Sequence, residues 1–174
     1  MSHGFDYDEI LDLVDENDQV VGHIARGKFL ESTDESLGYI RGAAAFIINS
    51  HGELWVPRRA NDRHVMPGGL DFSVAETVGS GESYDEAVVR GFLEEANLTI
   101  SIEDLQNIGI LSPKDTETFF INVYIYKSDA VPDYNQDDYT GYKWMKPEEL
   151  VELLSSGNDF GKNGLIPAIK KFSL

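Results

Sequence analysis

The order of apolar and polar positions along the chain predicts a fold that is rich in strands. Short apolar or alternating segments between turn-forming residues are typical of strands. Such segments occur at 9–14, 19–24, 39–49, 53–57, 71–78, 107–111, 119–126 and 141–145. Between 58 and 70 the pattern stops, and Pro67-Gly68-Gly69 indicates a loop there.

The clearest helix signal lies at 83–96, where Ser83 and Glu86 have the spacing of a capping box. Further helices are predicted at 26–32, at 147–154 with Pro147 in the first turn, and at 165–172. Strands with interspersed helices predict an α/β domain on a mixed sheet. We expect one domain over 1–174, with a hairpin and short helix in 1–35 and the core in 36–174.

The helix at 83–96 presents two adjacent carboxylates. A helical wheel places the apolar side chains on one side, which we expect to face the core: Val88, Val89, Phe92, Leu93 and Ala96. The opposite side carries Gly91, Glu94 and Glu95. Two carboxylates that repel each other favour a divalent cation such as Mg²⁺. On an ordinary surface helix such a pair is simply solvated, so the assignment depends on its surroundings.

Composition excludes several classes of protein. The 174 residues contain no cysteine, which excludes disulfide scaffolds, zinc ribbons, iron–sulfur clusters and thiol nucleophiles. The net charge of −17 disfavours nucleic acids and anionic membranes as partners. No signal peptide or membrane-spanning run is evident. We therefore expect a cytoplasmic protein, for which a homodimer stays open.

A basic cluster stands out in this acidic chain. Arg58, Arg59 and Arg63 fall within six residues and are followed by His64. Arginines can hold phosphate oxygens through paired hydrogen bonds. The alternative is that they form salt bridges with the abundant acidic residues.

The segment 81–98 resembles the Nudix box. Six residues fall on matching positions: Glu82, Arg90, Phe92, Glu94, Glu95 and Leu98. The segments 55–59 and 66–74, with 11–15 and 144–150, look like the isopentenyl-diphosphate-isomerase-like branch of the Nudix hydrolase (MutT-like) superfamily. The resemblance implies a Nudix fold, in which helices sandwich a mixed β-sheet. It also implies hydrolysis of an X-linked diphosphate, with a nucleoside di- or triphosphate as substrate and Mg²⁺ or Mn²⁺ as cofactor.

The resemblance also implies roles for particular residues. Glu94 and Glu95 would bind the metal, while Glu82 and Arg90 would brace the loop and helix. The substrate phosphates would be held by the arginines at 58, 59 and 63, and Asp137 and Asp138 stand where some relatives keep an acid or base.

Two departures from the family pattern bear on activity. Glu76 stands in place of a glycine, and Gly91 in place of a glutamate that serves as ligand or base in the family. We hypothesise that Glu76 supplies the lost carboxylate, as a third metal ligand, and occupies the space left at Gly91. A third departure, Asn97 for glycine, is harmless because asparagine tolerates the left-handed conformation.

Other functions remain to be weighed against hydrolysis. If Glu76 does not replace the carboxylate lost at Gly91, the alternative is a Nudix-fold nucleotide-binding or regulatory module without turnover. An isoprenoid isomerase is disfavoured, because the chain lacks the cysteine of that branch and has Thr77 where a histidine would stand.

Overall fold

The structure is a computed structural model that describes residues 6–34 and 36–174. Its strands are Ile10–Val14 (β1), Val20–Ala25 (β2), Ile40–Ile48 (β3), Leu54–Arg59 (β4), Val74–Thr77 (β5), Leu105–Leu111 (β6), Phe119–Lys127 (β7) and Tyr139–Met145 (β8). Its helices are Arg26–Glu31 (α1), Tyr84–Ala96 (α2), Pro113–Thr116 (α3), Pro147–Ser155 (α4) and Leu165–Phe172 (α5), with a 3₁₀ helix at Ile102–Asp104. Of the predicted N-terminal unit 1–35, residues 1–5 and 35 lie outside the described residues.

Each predicted strand and helix is present, with shifted ends. The 3₁₀ helix and α3 were not predicted, since each is about one turn long and shows no periodicity. The predicted strand 71–78 is shorter than expected, because Ser73 leaves the ladder to bond elsewhere. Its hydroxyl donates to the Trp55 carbonyl at 2.6 Å and accepts from the Ile47 amide at 2.8 Å. In the described part of the chain no helix has the length and apolarity needed to cross a membrane.

The main sheet has the order β6-β7-β3-β4-β8, and β5 also pairs with β3. β3 runs parallel to β7 along its whole length. β4 meets β3 only where Ile48 faces Leu54, whereas β5 pairs with Gly42–Ala45 further back along the strand. β4 and β5 therefore leave β3 at different points. Arg58 and Arg59 end β4, and Arg63 lies in the connection to β5.

Helices cover both faces of this sheet, as the predicted fold class requires. Alternate residues of β3 point to opposite faces. Ala43, Ala45 and Ile47 pack in the cluster that contains α2, whereas Ala44 and Phe46 pack in the cluster that contains α4 and α5. The predicted α/β fold with a mixed sheet is confirmed.

The predicted capping box fixes the start of α2. The Ser83 hydroxyl accepts from the Glu86 amide at 3.2 Å, and the Glu86 carboxylate accepts from the Ser83 amide at 2.9 Å. The helix ends at Asn97, whose φ of 50° is the left-handed conformation expected at this position.

The β1–β2 hairpin is attached to the core by polar contacts near the start of α2. Asp18 accepts from Arg41 Nε at 2.6 Å and from the Tyr84 hydroxyl at 2.9 Å. Asp12 accepts from the Ser80 hydroxyl at 2.6 Å. These contacts set the position of the hairpin relative to the loop that precedes α2.

Candidate active site

A cavity of about 420 Å³ lies between β3, β5, α2 and residues 63–66 of the connection between β4 and β5. Its volume falls within the range of small-molecule sites. Most of the predicted site residues line it: Arg59, Arg63, Glu76, Arg90, Glu94 and Glu95. Glu82 and Arg58 do not belong to its lining.

The predicted orientation of α2 is wrong in part. Leu93, expected in the core, is 55% exposed, while Glu95 is only 7% exposed and Gly91 is buried. The reason is that β5 packs across the helix at Gly91 and Glu95. A wheel built on apolar residues misses this contact, because glycine and glutamate carry no apolar signal.

The contact between β5 and α2 is so close that any side chain at position 91 would force its neighbours to shift. A Cβ atom there would lie 2.6 Å from Glu76 Cγ and 2.7 Å from Val74 Cγ1. The Glu76 side chain thus occupies the space that a side chain at 91 would take. It is 16% exposed and lies beside the helix, as required if Glu76 is to replace the carboxylate lost at position 91.

Arg90 connects the acidic groups around this contact. Its Nε donates to Glu82 at 2.9 Å, and its Nη1 lies 3.0 Å from the Glu76 carboxylate and 3.3 Å from that of Glu94. Its Nη2 also donates to the Thr77 carbonyl at 3.0 Å. Burial opposes ionisation of Glu82, but the hydrogen bonds from Arg90 and the Gly79 amide, together with the charge of Arg90, lower the pKa of Glu82. Arg90 therefore binds the end of β5 and the loop before α2 to the helix.

Two of the carboxylates are costly to ionise where they lie. Burial raises the pKa of Glu95 well above its ordinary value, and the charges of Glu76 and Asp71 raise it further. Burial also raises the pKa of Glu76, with Arg90 opposing and Glu94 adding to the shift. The Glu95 carboxylate accepts a hydrogen bond from the Ala75 amide at 2.9 Å. A cation at this place would relieve the repulsion.

The residues fit a divalent cation in donor type. Carboxylate oxygens are the ligands that Mg²⁺ and Mn²⁺ prefer, and Glu76, Glu94 and Glu95 bring them to one cavity wall. Within residues 6–34 and 36–174, no three acidic or histidine side chains already have a metal-binding arrangement. Arg90 holds two of these carboxylates, and the Ala75 amide holds the third.

Arg59 forms a second charged centre with a lysine that the sequence did not single out. Asp71 is fully buried, and one of its oxygens lies 2.5 Å from Arg59 Nη1 and 3.0 Å from Lys162 Nζ. Two cations on one carboxylate leave positive charge at the cavity, which both side chains line. Lys162 was missed because an isolated lysine in a turn carries no motif; only the fold brings it to Asp71.

The other two arginines have different positions. Arg63 Nη1 lies 2.6 Å from Asp138, and both residues line the cavity. Arg58 donates to Asp159 at 2.5 Å and to the Gly68 carbonyl at 2.8 Å, outside the cavity. All three arginines thus form salt bridges with acidic residues, as the alternative in the sequence analysis expected. Binding of phosphate by these arginines stays a prediction.

Comparisons with known proteins decide the family. A family model described as NUDIX domain matches residues 38–167. An uncharacterized Nudix hydrolase of Nostoc sp. is 39% identical over 165 residues, which cover 94% of this chain and 95% of that protein. The chain belongs to the Nudix family.

Its relatives agree with the fold and with the predicted branch. The crystal structure of DR0079 from Deinococcus radiodurans has a TM-score of 0.80 and 38% identity, and the match covers 94% of this chain and 98% of that one. An isopentenyl-diphosphate Delta-isomerase of Kocuria rhizophila is 25% identical over 150 residues, or 83% of this chain and 81% of that protein. The Nudix family acts on small-molecule diphosphates and generally uses divalent metals.

Glu95→Gln should stabilise the metal-free protein at neutral and higher pH. Because the pKa of Glu95 is raised on folding, its favourable contribution is complete only below its unfolded pKa of about 4.3 and is lost as pH rises. The melting temperature should therefore rise at pH 8, by about 2–4 °C per kcal/mol, and less at pH 5. Glu152→Gln, on the exposed side of α4, is the control. An unchanged or lower melting temperature at pH 8 contradicts the assignment.

Gly91→Ala should destabilise the protein although alanine favours helices. The new methyl would overlap Glu76 and Val74, at a cost of about 1–3 kcal/mol in the free energy of unfolding. In a Glu76→Gly background the cost should fall, because one of the two obstacles is gone. Gly141→Ala, with open space around it, is the control. Denaturant unfolding measures the wild type, the two single variants, the double variant and the control. An equal penalty in both backgrounds shows that the two positions do not compete for space.

Proposed function

We propose that this protein is a Nudix hydrolase that cleaves the diphosphate linkage of a nucleoside di- or triphosphate with Mg²⁺ or Mn²⁺. One observation carries the proposal. The carboxylates of Glu76, Glu94 and Glu95 line the same cavity as Arg59, Arg63 and Lys162. Groups that suit a divalent cation therefore stand in one cavity with groups that suit phosphate oxygens.

The residues divide into three roles. Glu76, Glu94 and Glu95 would hold the metal, which neutralises phosphate charge and activates the attacking water. Arg90 and Glu82 are positioning residues, because Arg90 connects Glu82 to two of the ligands. This arrangement supports Glu76 as the replacement for the carboxylate missing at position 91.

The phosphates would be held by Arg59, Arg63 and Lys162. Arg58 is reassigned in this proposal: its contacts with Asp159 and the Gly68 carbonyl suit a residue that braces the loop. The acid or base predicted at Asp138 is supported by its place on the cavity wall.

A second candidate is a nucleotide-binding module without turnover. It is favoured by the contacts of Arg90 Nη1, which lies against two of the three proposed ligands. An arginine that stayed there would neutralise the carboxylates without a metal.

A substrate screen with Glu94→Gln separates the two candidates. Nucleoside di- and triphosphates, nucleotide sugars and dinucleotide polyphosphates are tested with Mg²⁺, Mn²⁺ or neither. We expect metal-dependent turnover by the wild type and by the control Glu152→Gln, and a loss of at least about 100-fold in Glu94→Gln, because one metal ligand is gone.

The other outcomes are equally informative. Nucleotide binding by calorimetry that does not require a metal, with no turnover of any class, establishes the binding module. Turnover that Glu94→Gln leaves intact shows that the carboxylates of α2 do not hold the metal.

A further inference from the structure

Part of the cavity is built by residues that precede the segment matched by the Nudix model. That match begins at residue 38. Asp6, Glu9, Arg26 and Leu30 nevertheless line the same cavity as the proposed metal ligands. We refer to these four residues as the N-terminal wall. A ligand that fills the cavity meets both the carboxylates of α2 and this wall.

The N-terminal wall is held in place before any ligand binds. The Arg26 amide donates to the Glu9 carbonyl at 2.8 Å, and the Gly27 amide donates to the Tyr7 carbonyl at 3.0 Å. The ring of Tyr7 lies so close that a Cβ atom at Gly27 would be 2.6 Å from it. The Tyr7 hydroxyl also lies 3.0 Å from His64 Nδ1, on the loop that carries Arg63. Such preorganisation reduces the entropic cost of binding.

Besides Asp6, the polar part of the wall is a donor beside an acceptor. Arg26 Nη1 donates to Glu9 Oε2 at 3.0 Å, and the two side chains are 25% and 26% exposed. A guanidinium next to a carboxylate matches a planar group that has a carbonyl next to an N–H, as a nucleobase edge does. An alkyl chain placed there would remove water from the ion pair and return no hydrogen bond. The pair therefore favours a base over an isoprenyl group.

The remaining surface of the cavity suits the flat faces of such a group. Leu30 comes from α1, Ile40 from β3, and Phe119 from β7, and all three side chains line the cavity. Apolar side chains beside a polar pair are typical of sites that fix the orientation of a small molecule.

We propose that the N-terminal wall binds the base of the nucleotide, with Arg26 donating to a base carbonyl and Glu9 accepting from a base N–H. The proposal rests on the proposed function, because it places the phosphates at the metal and the basic side chains. The Nudix segment then carries the chemistry, and the preceding hairpin and α1 determine which substrates are accepted.

The test compares substrates with and without a base. Steady-state kcat and KM are measured for the four common nucleoside diphosphates and for ribose 5-diphosphate, which keeps the sugar and phosphates only. The variants are Arg26→Ala and the isosteric Glu9→Gln. Lys28→Ala is the matched control, since Lys28 is an exposed cation on α1 that does not line the cavity.

We expect both variants to lower kcat/KM at least tenfold for the preferred nucleoside diphosphates, mainly through KM, and to change it less than twofold for ribose 5-diphosphate. Lys28→Ala should match the wild type on both. Equal losses on both substrates, or no loss on either, overturn the proposal.

A failure of the proposed function is distinguishable from a failure of this inference. If the wild type hydrolyses none of these substrates, the Kd of the same nucleoside diphosphates is measured by calorimetry with Mg²⁺. A tenfold weakening in Arg26→Ala and Glu9→Gln, but not in Lys28→Ala, supports the N-terminal wall as a base site without turnover. Affinities equal to the wild type, or no binding by the wild type, reject it.

Discussion

The close approach of β5 to α2 is the constraint on which the candidate site depends. Gly91 allows it, because any larger residue would overlap Glu76 and Val74. At this distance Glu76 joins Glu94 and Glu95 on one cavity wall, and Arg90 reaches Glu76, Glu82 and Glu94 at once. In an exposed helix interior, glycine lowers the stability by about 1 kcal/mol relative to alanine. Here that cost is offset by the packing it makes possible.

The same arrangement places the site in conflict with stability. Burial and repulsion by neighbouring carboxylates raise the pKa of both Glu76 and Glu95, so their ionised forms oppose folding until a cation is present. Asp71 differs from them, because its buried carboxylate is paired with two cations of the protein, Arg59 and Lys162. Unfavourable groups retained in an otherwise well-packed fold are expected at functional sites. The contrast between these two buried centres is the physical basis for assigning one to metal and the other to phosphate.

Local signals made much of this structure predictable, and long-range contacts account for what was missed. Ser83 and Glu86 fix the start of α2 through contacts three residues apart, so the sequence alone predicts it. The burial of Glu95 depends on where β5 crosses the helix, which no helical wheel contains. Lys162 reaches Asp71 across a large separation in sequence, and only the folded chain shows that pair.

One difference from the prediction lies at the end of β4. Arg58 and Arg59 are consecutive in β4, and successive side chains of a strand point to opposite faces. Of the two, only Arg59 lines the cavity, and the pairing of β4 with β8 shifts register between them. The resemblance to the Nudix pattern treats the two arginines alike, whereas the strand separates them.

The central claim is that Glu76 supplies the carboxylate that Gly91 cannot. Titration of the metal-free protein with Mn²⁺, with the free ion counted by electron paramagnetic resonance, tests it without any assumption about substrate. The account predicts tight binding by the wild type and by Glu152→Gln, and at least about tenfold weaker binding by Glu76→Gln, similar to Glu94→Gln. Wild-type affinity in Glu76→Gln would contradict it.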